Sequence, residues 1–62
     1  MDNQELRKVR EAIGVSDFKL GYKSGVHLSV IEAFFAGKTE ELTDRERRLL
    51  SETLEKLAKK AK

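Results

Sequence analysis

A chain of 62 residues with no cysteine and a single histidine has no disulfide framework and no ligand set for a structural zinc or iron–sulfur site. Its charged fraction of 39%, with no proline, four glycines and a net charge of +2, is that of one helical domain with a solvated surface. It admits nucleic acid as a partner without requiring it. A domain this short buries only about 60% of its unfolded surface, so helix packing, an oligomer interface or a bound partner must supply the stability that cross-links do not. No apolar run has the length of a membrane span and no apolar signal segment follows Met1, so the expectation is a cytoplasmic protein without a membrane partner.

The first helix is expected to start at Asp2 or Asn3 as cap, with Glu5 in its positive first turn. Leu6, Val9, Ala12 and Ile13 fall on one helical face, and Arg7, Lys8 and Glu11 fall outside it. Gly14 stands where a helix stops, and Ser16 can cap the next one.

Between Phe18 and Val30 two readings compete. In one, a short helix from Asp17 to Ser24 and a second from about Leu28 to Ala36 flank a turn at Gly25. In the other, Phe18, Leu20 and Tyr22 alternate on one strand of a hairpin, and Val26, Leu28 and Val30 alternate on its partner. An isolated two-stranded ribbon is marginal unless helices cover it.

The final element is the clearest. Thr43-Asp44-Arg45-Glu46 is a capping box, and Leu49, Leu50, Thr53, Leu54, Leu57 and Ala61 follow at helical spacing. One helix from Asp44 to about Lys60 is predicted, with Lys59, Lys60 and Lys62 at its negative end.

Taken as helices, residues 16–36 have the spacing of a helix-turn-helix. Leu20 packs inward, Gly21 sits at the close approach of two helices, and Gly25 takes the turn. Val26 plugs that turn, Ile31 and Phe34 face inward, and Gly37 closes the second helix. The stretch LRKVREAIGVSDFKLGYKSGVHLSVIEAFFAGK, Leu6 to Lys38, resembles the lambda-repressor-like, Xre/Cro-type helix-turn-helix family. That family's cadence is a Leu…Arg first helix, a Gly-apolar-Ser step, Leu-Ala in the second helix, Gly-Val at the turn and an apolar-Gly-Lys close. The resemblance favours helices over the hairpin. It implies an all-α fold: a single small four- to five-helix bundle, residues 1–62, containing a helix-turn-helix and ending in a long helix.

The same resemblance implies a DNA-binding regulator of the repressor or Cro kind, without a cofactor. It would set its second helix into the major groove of double-stranded DNA, as a homodimer. Its base-facing positions fall at His27, Leu28, Ser29, Glu32 and Ala33, and its phosphate contacts near Asp17 and around Lys38. Lys19 and Lys23 are further cations on the expected face.

Four departures stand out. Position 17 is commonly Gln in the family and is Asp here, and the loop after Lys38 is acidic, Thr39-Glu40-Glu41. No Arg, Asn or Gln occupies the five base-facing positions, so the strong bidentate pairs are absent. Phe35 stands where the family often has a Glu paired with an arginine at position 10. Arg10 is therefore expected to stack on Phe35 or to turn to Glu11, Glu32 or solvent.

Phe18, Leu28, Val30 and Phe35 cannot all face the core of a helical domain. A second reading is therefore an interaction module whose protein partner or second copy docks on Leu28, Val30 and Phe35. No nucleophile–base pair, metal set or phosphate loop suggests an enzyme.

Overall fold

The computed structural model describes residues 1–38 and 41–60. Four helices follow one another: α1 (Asn3–Ile13), α2 (Asp17–Ser24), α3 (Leu28–Phe35) and α4 (Asp44–Lys60). Among the described residues there is no strand, so the segment from Phe18 to Val30 is two helices and not a hairpin. Thr39, Glu40, Ala61 and Lys62 lie outside the described residues.

Each helix starts on a side chain that takes up an orphan amide. Asp2 caps α1, its Oδ1 accepting from the Glu5 amide at 2.8 Å, while Asn3 is already helical. Ser16 caps α2 by accepting from the Lys19 amide at 3.1 Å. The capping box of α4 closes reciprocally. Thr43 Oγ1 accepts from the Glu46 amide at 3.1 Å, and Glu46 Oε1 accepts from the Thr43 amide at 2.9 Å. At its other end α3 closes in a Schellman turn around Gly37. The Lys38 amide donates to Ala33 O at 2.9 Å and the Gly37 amide to Phe34 O at 3.1 Å.

The core is one cluster drawn from every helix, built on Leu6, Leu20, Ile31, Phe34, Leu50 and Leu54, all fully buried. Val15, Val26 and Leu42 come from the connections and close its edges. Helix α4 packs against α1 and α2, and α2 packs against α3. On α4, Leu50 and Leu54 point inward, while Leu49 and Leu57 are half-buried beside them, so most of the leucine stripe serves this chain's own core.

On α1 the buried stripe is shifted from the expected one. Ala12 is exposed, and Arg7 is half-buried on the opposite flank. At about 100° per residue, Leu6, Val9 and Ile13 define a narrow stripe, Ala12 lies beyond one edge, and Arg7 and Arg10 border the other. The arginines belong to the packed side because aromatic rings wait for them on α3.

The turn between α2 and α3 holds three residues, Gly25, Val26 and His27. Gly25 has φ of 79°, open to glycine and strained for any residue with a Cβ. Ser24 does the remaining stitching: its buried Oγ donates to Leu20 O at 2.6 Å and accepts from the Val26 amide at 3.1 Å. Gly21 lies at the α2–α3 contact, where a Cβ would meet Val26 O at 3.4 Å and Ile31 Cδ1 at 3.7 Å. Those are ordinary contact distances, so alanine fits and a longer side chain does not.

The two glycines should therefore respond oppositely to alanine. Gly21→Ala should stabilise the domain by about 0.5–1 kcal/mol by removing unfolded-state freedom at a helical position. Gly25→Ala, at positive φ, should destabilise it although nothing lies within 4 Å of the new Cβ. Urea midpoints of the two variants decide this, and equal signs would refute it.

Candidate nucleic-acid interface

Helix α3 buries Ile31 and Phe34 completely, which turns its opposite side outward. Ser29 and Glu32 are exposed there and Ala33 is half-buried. Together with Ala36, Asp17 at the start of α2 and Lys38 past the end of α3, they line one shallow open cleft. Five of the expected DNA-facing residues, Asp17, Ser29, Glu32, Ala33 and Lys38, thus converge from three segments of chain.

The other four are distributed around this cleft or away from it. His27 caps α3. Its Nδ1 accepts from the Ser29 amide at 3.1 Å and lies 2.8 Å from Ser29 Oγ. An amide donating to Nδ1 assigns the neutral ring's proton to Nε2, leaving an N–H available on the ring's far side. His27 also borders a recess formed with Thr43, Arg45 and Glu46, so the fold brings Arg45 beside the start of α3 from eighteen residues downstream. No local pattern in the sequence signals that approach. Leu28 is half-buried and faces α2, lining a groove with Phe18, Gly21, Tyr22 and Val26. Lys19 is exposed on α2. Lys23 departs from the expected face and lines a recess against α4 with Thr53, Lys56, Leu57 and Lys60.

The electrostatics of the cleft turn on Arg10. Its guanidinium lies 4.9 Å from the centroid of the Phe35 ring, the stacking contact the sequence suggests, and its Nη2 is 2.9 Å from Asp17 Oδ1. The acidic partner is therefore Asp17, on a different helix, rather than Glu11 or Glu32. The contact is an ion pair off the hydrogen-bond axis. Asp17 Oδ1 and Arg10 Nε are both buried atoms, and neither completes a directional hydrogen bond among the described residues. The consequence is that Asp17 does not present a bare charge to the cleft. Lys38 and Glu32 line the cleft beside Asp17, whose charge is paired with Arg10. Of the acidic loop after Lys38, Glu40 lies outside the described residues and Glu41 is exposed.

A second arginine repeats the contact one turn earlier. Arg7 stacks over Phe34 at 4.4 Å and donates from Nη2 to Phe34 O at 3.3 Å. Phe34 and Phe35 meet edge to face, with centroids 4.9 Å apart and planes at 79°. Phe35 and Val30 are accordingly half-buried against the core, as is Leu28 against α2, so each residue of the expected docking patch keeps only part of its surface in solvent. The large apolar side chains that do stand in solvent are Phe18, 73% exposed, and Tyr22, 80% exposed.

No family model, curated protein or solved structure matches this chain.

The stacked arginine should be measurable as a coupling. In a double-mutant cycle of Arg10→Gln and Phe35→Leu, the interaction energy should be about 0.5–1 kcal/mol by thermal or urea denaturation. Additive effects would show that the ring contributes only its apolar area.

Proposed function

We propose that this chain is a small DNA-binding transcriptional regulator of the lambda-repressor-like kind, reading double-stranded DNA with α3 in the major groove. The observation that carries this reading is the Arg10–Asp17 pair. It neutralises the one acidic residue at the α2 position where the family would meet phosphate. What the sequence alone presents as a repulsive charge is instead held by the domain's own cation.

The outward face of α3 supplies modest recognition chemistry. His27 Nε2–H can donate to guanine O6 or N7, and Ser29 Oγ can accept from an exocyclic amine while its proton is shared with His27. Glu32 can accept from cytosine N4, and Ala33 can touch a thymine methyl. The link between His27 and Ser29 holds both readers in place before DNA arrives, which limits the ordering cost of binding. Phosphate contacts would come from Lys19, Lys38 and Arg45. One domain of this kind touches few bases, so two chains on adjacent half-sites are the arrangement that reaches operator-level affinity.

Selection from random duplex DNA at low salt, run with sedimentation of the complex, tests the reading. An enriched half-site should appear, with two chains per bound duplex. The log–log salt dependence should be shallow, with a slope of about −3 per chain for three phosphate contacts. Ser29→Ala should change the selected sequence, whereas Lys38→Ala should weaken binding to all sequences alike. Absence of any duplex binding at low ionic strength would reject the proposal.

A further inference from the structure

The surface of α2 changes character around its axis, and the change describes a partner. Phe18 and Tyr22 are one turn apart, about 6 Å along the helix, and both project into solvent. On the α3 side they wall a groove whose remaining lining is Gly21, Val26 and Leu28, with no charged residue. On the opposite side come Lys19 and Lys23, both exposed. Beyond them, Lys56 and Lys60 of α4 line the recess that also holds Lys23. No carboxylate lines either recess, and none of these four lysines has an ion-pair partner among the described residues. An apolar groove thus runs beside a strip of one sign of charge.

We infer that this face of α2 is a docking surface for an acidic amphipathic helix of another protein. Its apolar stripe would seat in the groove between α2 and α3, over Phe18 and Tyr22. Its Asp or Glu flank would meet Lys19, Lys23, Lys56 and Lys60. This is the helix-in-groove mode of recognition, with an aromatic pair as anchor and a basic rim to set orientation.

A second copy of this chain is a poor occupant. Two such faces brought together would oppose lysine to lysine. The outward residues of α1, Glu5, Lys8, Glu11 and Ala12, provide no apolar stripe to fill the groove. Single-stranded nucleic acid suits lysines and aromatics in general. Here, however, the rings wall an aliphatic-floored groove and the cations lie on one side only, which suits a branched side chain better than a stacked base. The groove lies on the α2 side of α3, away from Ser29 and Glu32, and its surface shares only Lys19 with the proposed DNA contacts, so the Phe18 and Tyr22 variants separate it from DNA reading.

The test is a selection from displayed random peptides of about 15 residues, roughly four helical turns, on the full chain. The control bait is the Phe18→Ser, Tyr22→Ser variant, first shown by circular dichroism to keep its helicity. The expected enriched peptides carry apolar residues at i, i+3 or i+4 and i+7, with an excess of Asp and Glu. A synthetic enriched peptide should bind roughly tenfold more weakly when Tyr22→Ala or the pair Lys19→Glu, Lys23→Glu is introduced. The proposal is overturned if nothing is enriched over the control bait, or if the enriched peptides are basic or uncharged. It is also overturned if the wild-type chain binds an oligo(dT) strand and the control bait does not, which makes the face a nucleic-acid platform. Self-association that disappears in the control bait on sedimentation would assign the face to a second copy instead.

Discussion

Among the described residues, Arg10 is the one side chain whose stacking and ion-pair contacts join the first three helices. It leaves α1, lies over the Phe35 ring at the end of α3, and reaches Asp17 at the start of α2. Arg7 makes the parallel contact to Phe34 one turn away. Helices α1 and α3 share little other packing, since α1 leans chiefly on α4 and α3 on α2. The two guanidiniums over two adjacent rings therefore tie together the halves of a bundle whose core would otherwise be joined mainly through α4. A guanidinium suits this task because it is planar and weakly hydrated, so it can cover a ring face and keep an edge for a carboxylate. Lysine, a compact point charge, cannot lie flat on the ring and present a second edge at the same time.

That arrangement explains how so short a chain presents a free helix. The domain has no disulfide and few residues to bury, so every helix start is closed by a side chain, Asp2, Ser16, His27 or the Thr43–Glu46 box, and the first three helices stop at Gly14, Gly25 and the Schellman turn at Gly37. Connections contribute to the core through Val15, Val26 and Leu42, so little chain is spent on structure without burial. Arg47 adds a polar tie between the ends of α1 and α4, with Nε 3.4 Å from Asn3 Oδ1 and Nη2 3.5 Å from Leu42 O. With the ends capped and the inner faces used, α3 can leave Ser29 and Glu32 in solvent while Ile31 and Phe34 hold it down.

The helices were largely legible because their causes are local. The capping box at Thr43, the stop at Gly14, the Ser16 cap and the period of Leu49, Leu50, Leu54 and Leu57 are short-range patterns, and each corresponds to an element of the fold. The segment Phe18 to Val30 was different, since alternation and helical period fit it equally. Its helical form follows from contacts made across the turn, Ser24 with Leu20 and Val26, and Gly21 against Ile31, which the period of the residues does not encode. The convergence of Asp17, Ser29, Glu32, Ala33 and Lys38 was visible in outline. The departure of Lys23 toward α4, the arrival of Arg45 beside His27 and the burial of Val30 and Phe35 were not, because each depends on how neighbouring helices are rotated.

By itself the sequence determined the first and last helices, the absence of any cysteine for a disulfide, the caps and stops of its helices, and, once residues 16–36 are taken as helices, the inward residues Leu20, Val26, Ile31 and Phe34. These follow from dihedral preference, hydrogen-bond satisfaction and periodicity, all of which act over a few residues. Only the tertiary structure decided which charges are spent internally and which stay in solvent. Asp17 was an unfavourable charge on paper and became Arg10's counterion. Phe35 was an exposed apolar residue on paper and became the floor beneath a guanidinium. Phe18 and Tyr22, which periodicity could have placed in a core, stand in solvent beside lysines that have no ion-pair partner among the described residues. Electrostatic and aromatic contacts between helices depend on separations of a few ångströms between residues distant in the chain, and those separations exist only once the helices are packed.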